Sequence, residues 1–256
     1  MPHISLAAEI VTRIAGFPIS NALITTWLVM GLLTVISYLA TRNMKLIPTA
    51  GQSIAEMLVG GLHDFFATVT GKYVDQVFPL VASLFLFILT ANWVGLLPGV
   101  GTVGLFREVY GVEEFTPLLR GATADLNTTL ALALFTMVAI QYYGFKTSGV
   151  HYGKRFFNIG NPIYFFLGVL ELVSELSKVV SFAFRLFGNI FAGEVLLAVM
   201  AFLMPFIVPL PFLMMELFVG FIQALVFSML TAVFLSVAVA HGEHEKHMAE
   251  GGEIHG

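Results

Sequence analysis

Seven polar side chains recur at steps of three and four along one apolar stretch: Glu171, Ser174, Glu175, Lys178, Ser181, Arg185 and Asn189. At about 100° per residue all seven fall within an arc of roughly 120°, so a helix over this stretch carries a single polar stripe. Arg185 is the innermost charge of that stripe. Phe182, Phe184, Leu186 and Phe187 surround it, and no opposite charge lies within one turn on either side. A guanidinium stays protonated in proteins and offers a carboxylate a fixed fork of donors, whereas a buried lysine can lose its proton. At membrane depth such a permanent charge favours the ionised form of any carboxylic acid brought beside it. Arg185 would therefore make a passing acid release its proton, and the acid must come from elsewhere.

Glu194 lies nine residues beyond Arg185, about half a turn round the helix and some 13 Å along it, so it points off the stripe and is expected to face the next helix. On that helix Glu216 and Gln223, seven residues apart, share a face. Gly220 between them leaves room for the close backbone approach that small residues allow between membrane helices. Two carboxylates at close range cannot both ionise comfortably, so Glu194 and Glu216 could share or relay a proton. Glu171 and Glu175 form a second carboxylate pair at the other end of the stripe. Blander readings stand beside these. Glu175 and Lys178, three residues apart, could simply pair near a helix end, or Lys178 could snorkel. Gln223 could serve only as an interhelix hydrogen-bonding group. His63 reads as interfacial, and His241, His244 and His247 read as a solvated polar tail rather than a metal site.

Several chemistries are excluded. Gly71-Lys72 is followed by Tyr73, and Phe66 stands where a phosphate loop needs its first glycine, so ATP hydrolysis by this chain is not expected. Neither HExxH nor GxSxG occurs. With no cysteine, disulfides, thiolate metal sites and thiol nucleophiles are ruled out. Net charge is −4 and the basic residues are scattered, which leaves no cationic face for nucleic acid. No cofactor and no metal are expected.

The elements that must position these residues are membrane helices. Of the 256 residues 58% are hydrophobic and only 11% charged, against roughly a quarter charged in an ordinary soluble domain. A span needs about 20 apolar residues. The stretches 21–40, 77–98 and 125–144 meet this, with Trp93 placed as an interfacial anchor and Asp125 or Asn127 able to cap the third start. Residues 52–69 mix Glu56, His63 and Asp64 with apolar positions, which predicts a helix lying at the interface. Residues 99–124 read as a loop. From 162 to 204 helical spacing continues without an internal proline, for about 64 Å, so this helix must lie steeply oblique in the membrane. Pro205, Pro209 and Pro211 are expected to break it, and 212–240 to return antiparallel as the second arm of an inclined hairpin. The tail beyond is expected to fray. The expected fold class is thus all-α integral membrane: three near-perpendicular spans, an interfacial amphipathic helix and a C-terminal inclined two-helix hairpin. Residues 1–256 form a single membrane domain on this reading, without repeats or linkers.

Arg42, Lys45, Lys72, Lys146, Lys154 and Arg155 fall on one side if the N-terminus lies outside and the 145–161 loop is cytoplasmic, as the positive-inside rule prefers. The first eighteen residues lack the features of a cleaved signal or transit peptide, and a bacterial inner membrane is the simpler reading.

The run Ser181-Phe-Ala-Phe-Arg185-Leu-Phe-Gly-Asn189-Ile-Phe-Ala-Gly-Glu194 resembles the motif of the a subunit of F-type (rotary) ATP synthases, whose essential arginine stands in R-L-F-G-N-x-x-A-G-E. The segments Asn92-Trp-Val-Gly-Leu-Leu-Pro98, Ala124-Asp-Leu-Asn-Thr-Thr129 and Gln223-Ala-Leu-Val-Phe extend the resemblance over nearly the whole chain. It implies a proton-translocating stator subunit of the membrane sector. A ring of c subunits, each with a membrane-embedded carboxylate, turns past the inclined hairpin, and two offset half-channels deliver and remove protons. The peripheral-stalk b-type subunits would be further partners. By the same resemblance Arg185 is the arginine between the half-channels. Glu194, Glu216 and Gln223 match the outer path, and Glu171, Ser181 and Asn189 match the inner one. Where a familiar bacterial pattern has histidine this chain has Glu216, and Glu175 is an extra acid at the inner exit. Such a subunit does no ATP chemistry itself. The competing classes are a self-contained secondary transporter, which usually shows paired halves and broken helices, and a purely structural anchor, which would not need an arginine-centred stripe.

Overall fold

The computed structural model describes residues 8–252 apart from 15, 43, 102, 110–111, 150–161 and 205–206. Among the described residues six α-helices carry the chain: α1 (Asn21–Thr41), α2 (Ala50–Thr70), α3 (Val74–Gly95), α4 (Leu126–Ser148), α5 (Pro162–Leu203) and α6 (Pro209–Gly252). Within the same residues five segments are long and apolar enough to cross a membrane: 21–41, 50–95, 126–147, 165–203 and 209–240. The protein is an all-α integral membrane protein. The described residues also form short strands, in two antiparallel hairpins and one further segment: β1 (Ile10–Ile14) with β2 (Phe17–Ser20), β3 (Pro98–Gly101), and β4 (Gly104–Val109) with β5 (Val112–Pro117).

Local chemistry sets the helix ends. Ser20 caps α1, its Oγ accepting from the Leu23 amide at 3.3 Å, and Asp125 caps α4 by accepting from the Asn127 amide at 3.3 Å. Of the two capping candidates in that stretch, Asp125 fills the role. Helix α2 stops at Gly71, whose φ of 55° and ψ of −128° suit a residue without Cβ. There the chain reverses. His63 and Asp75 are twelve residues apart, a rise of about 18 Å in a continuous helix, yet Nε2 of His63 sits 3.1 Å from Asp75 Oδ1. The segment 50–95 is therefore two helices folded back on each other.

The core lies between α3, α4, α5 and α6, where Phe85, Ile88, Ala133, Leu186 and Phe227 are buried together. Alanines mark the closest contacts: Ala183 on α5 and Ala224 and Ala232 on α6 are wholly enclosed. Elsewhere large apolar side chains face outward, among them Trp27, Val35 and Leu39 on α1 and Leu172 and Leu176 on α5. Such a surface is stable only in lipid.

Several boundaries differ from those read in the sequence, among them the end of α4, at Ser148 rather than 144. Helix α3 starts and ends three residues earlier than 77–98, because Gly95 gives way to a turn and Pro98 enters β3. The 99–124 stretch is not only loop: β4 and β5 pair from Gly104↔Pro117 to Val109↔Val112, and Ala122–Ala124 forms a 3-10 turn. Pro209 and Pro211 open α6 rather than end α5, since the first helical turn needs no amide donors. Helix α6 also continues past 240, to Gly252, although the tail was expected to fray. The side chains of His241, His244 and His247, the Pro205 break and most of the 145–161 loop lie outside the described residues.

Candidate functional site

The stripe residues share one face of α5, open at Ser174, Ser181, Arg185 and Asn189 and half-buried at Glu171, Glu175 and Lys178. Val179, Phe182, Ala183, Leu186 and Ile190 turn inward, while Ser181, Phe184, Arg185 and Asn189 turn outward. The aromatic and leucine neighbours of Arg185 thus separate: Phe182, Leu186 and Phe187 are enclosed and Phe184 is 55% exposed. Arg185 was expected to be buried, and within this chain it is open. Its Nη2 donates to Ser181 Oγ at 3.1 Å, one turn back along the stripe. Among the described residues no carboxylate pairs with it. Gly188 adds no side chain, and the space its Cβ would occupy is empty.

The stripe joins α6 at one point. Asn189 Nδ2 donates to Gln223 Oε1 at 3.2 Å, and Gln223 is itself 5% exposed. Its Nε2 has no acceptor among the described residues. Toward the start of α5, Glu175 Oε1 accepts from Lys178 Nζ at 2.8 Å, and the ammonium also lies 4.8 Å from the centre of the Phe234 ring. This is the local ion pair that the three-residue spacing allowed. Glu171 is half-buried on the same face and Ser174 is exposed.

At the other end, Glu194 and Glu216 line one cavity of about 410 Å³, with Glu9, Asn92, Arg120 and Thr123 among its other walls. The two acids share this cavity, and the backbone beside Glu194 touches Glu216. Gly193, next to Glu194, lies flat against the Glu216 carboxylate, and any Cβ there would fall on it. Glu216 is 3% exposed, and no hydrogen-bond partner reaches its Oε1 among the described residues. Glu194, by contrast, is bound: Arg120 Nη2 donates to its Oε2 at 3.4 Å.

Arg120 falls in the 99–124 stretch that reads as a loop in sequence, with no role evident there. The side chain is 9% exposed, and the Arg120 amide donates to Thr25 Oγ1 on α1 at 3.3 Å. The Asn21 side chain, a turn earlier on α1, donates to the Pro117 carbonyl at 3.3 Å, so the chain after β5 is held over the helix ends. Asn92 was also unassigned. Its Nδ2 donates to the Gly220 carbonyl at 2.9 Å and its Oδ1 accepts from Thr123 Oγ1 at 2.7 Å, tying α3 to α6 and to the turn before α4. Gly220 is the close approach expected of it: a Cβ there would come within 3.2 Å of the Asn92 Cβ. A pairing role for Arg120 had no local signal, because its partner is 74 residues away.

The arrangement can handle a cation such as a proton at two stations, a cavity with two carboxylates and an uncovered arginine face, joined by the α5–α6 pair. Comparison with known proteins identifies the family. Residues 23–236 match the family model described as ATP synthase A chain. The ATP synthase subunit a of Geotalea daltonii is 35% identical over 228 residues, 87% of this chain and 89% of that protein. Its counterpart in Trichlorobacter lovleyi is 37% identical over 227 residues, again 87% and 89%. A protein of Propionigenium modestum named ATP synthase subunit a, sodium ion specific, is 34% identical over 246 residues, 95% of this chain and 82% of that one. With the family model spanning most of its length, this chain belongs to the ATP synthase A chain family.

Proposed function

We propose that this chain is the proton-translocating stator subunit of an F-type ATP synthase, a single membrane domain forming two half-channels against a rotating c-ring. Arg185 separates them. The observation that supports this best is the open Arg185 face, where a permanent cation stands on an apolar helix with no acid paired to it among the described residues. A rotor carboxylate passing that face would supply the acid and be held ionised while beside the guanidinium. On this reading Glu194, Glu216 and Gln223 serve the outer path through the cavity, and Asn189, Ser181, Glu175 and Glu171 serve the inner one. The c-ring and peripheral-stalk b-type subunits are its partners. The chain sits in a bacterial inner membrane with its N-terminus outside and the 145–161 loop cytoplasmic.

One charge crossing 100 mV gains only about 2.3 kcal/mol, so several ions must be summed by rotation before ATP can be made on another subunit. The test is Arg185→Ala in the complex reconstituted into vesicles. Synthesis driven by an imposed proton gradient should vanish while the subunit still co-purifies with a small c-type subunit. Normal synthesis by that variant overturns the reading. Because one relative is named as sodium ion specific, the ion is tested directly: synthesis is expected without added sodium, and an absolute sodium requirement overturns the proton assignment alone.

A further inference from the structure

Two acids line the cavity at the end of α5, and they are treated differently by their surroundings. Glu194 is 40% exposed along its side chain and carries an ion pair, whereas Glu216 is enclosed, lies against Gly193 and has no partner for Oε1 among the described residues. The difference comes from Arg120. Its backbone is fixed through Thr25, its side chain is almost wholly enclosed, and Nη2 reaches Glu194 Oε2 at 3.4 Å. No residue of α5 or α6 supplies that cation; it is brought in by the chain that follows β5. The ionisable groups that face it across the same cavity are Glu9, before β1, Glu194 on α5 and Glu216 on α6.

We propose that Arg120 is a positioning residue of the ion path: it holds the Glu194 carboxylate to the cavity wall and balances its charge, leaving Glu216 as the acid that takes and gives the ion. Without the guanidinium, two carboxylates and Glu9 would share one cavity with no fixed cation, and Glu194 would compete with Glu216 for the same ion. Removing the acid from an enclosed arginine, or the arginine from its acid, leaves the remaining charge uncompensated. Removing both together should therefore be milder than removing the arginine alone.

This inference rests on the proposed ion-translocating function, and the experiment separates the two. The intact complex is reconstituted into vesicles, an acid-to-base jump is imposed, and ATP synthesis is measured per assembled complex for Arg120→Gln, Arg120→Lys, Glu194→Gln and the double variant Arg120→Gln/Glu194→Gln. Arg120→Gln should lower the rate about tenfold, a mid-range coupling for a contacting pair. Arg120→Lys should restore most of the loss, since it keeps the charge, and the double variant should exceed Arg120→Gln. Three results overturn the proposal: wild-type rates in Arg120→Gln; equal failure of the lysine and glutamine variants; and a double variant no better than Arg120→Gln, whether in rate or in assembly. Normal synthesis by the Arg185→Ala control would remove the underlying function instead.

Discussion

Asn92 is the smallest change with the widest expected consequence for packing. It is 3% exposed, donates to the Gly220 carbonyl at 2.9 Å and accepts from the 1% exposed Thr123 hydroxyl at 2.7 Å. Hydrogen bonds between membrane helices are worth about 0.6 kcal/mol on average and about 1.7 at most. Asn92→Leu keeps the bulk of the side chain and deletes both bonds, so it should cost about 1–3 kcal/mol of stability. Thr123→Val deletes one and should cost about 1 kcal/mol. The two losses share a bond, so the double variant should cost less than their sum by about 1 kcal/mol. Equilibrium unfolding in mixed detergent, followed by the fluorescence of the neighbouring Trp93, measures all three. Strict additivity, or an Asn92→Leu cost lost within error, would refute the inference that this side chain ties α3 to α6 through the turn before α4.

Gly193→Ala should displace the Glu216 carboxylate, because the new methyl falls on it, and lower ion-driven ATP synthesis by about tenfold or more with the complex still assembled. Shortening the acid as well, in Gly193→Ala/Glu216→Asp, should recover part of that loss, and no recovery would place the defect elsewhere. Gly71→Ala should destabilise by about 1–3 kcal/mol in the same unfolding assay although its Cβ would meet nothing, since φ of 55° with ψ of −128° is strained for any L side chain.

The helices were legible because their signals are local. Apolar runs of spanning length, the Ser181–Arg185–Asn189 spacing and the Asp125 cap each need only a few neighbouring residues to be read. Proline misled in one place: Pro209 and Pro211 look like breakers in sequence, but a proline at a helix start costs no hydrogen bond, and the same residues begin α6. The β4–β5 hairpin was hidden for the opposite reason, being short, charged and set in a segment already assigned to a loop. In the candidate site, the sharing of one cavity by Glu194 and Glu216 followed from helix geometry. The capture of Glu194 by Arg120 did not, because it depends on how the chain after β5 drapes over α1, through Asn21 and Thr25. Periodicity carries no information about such a contact.

The two arginines explain each other. A guanidinium with a fixed acid beside it cannot discharge a passing carboxylate, since its donors and its field are already spent on the resident one. Arg120 is in that condition, itself enclosed and paired with the half-exposed Glu194. Arg185 is not: its contact is a neutral hydroxyl on Ser181, and the helix face around it offers Phe184, Asn189 and the bare backbone of Gly188. On the proposed function, a stator acting on successive rotor acids needs Arg185 in the second condition and Arg120 in the first. Exchanging the roles, by placing an acid at Gly188 one turn from Arg185, should therefore stop the motor even though it adds only a favourable charge pair to the isolated chain.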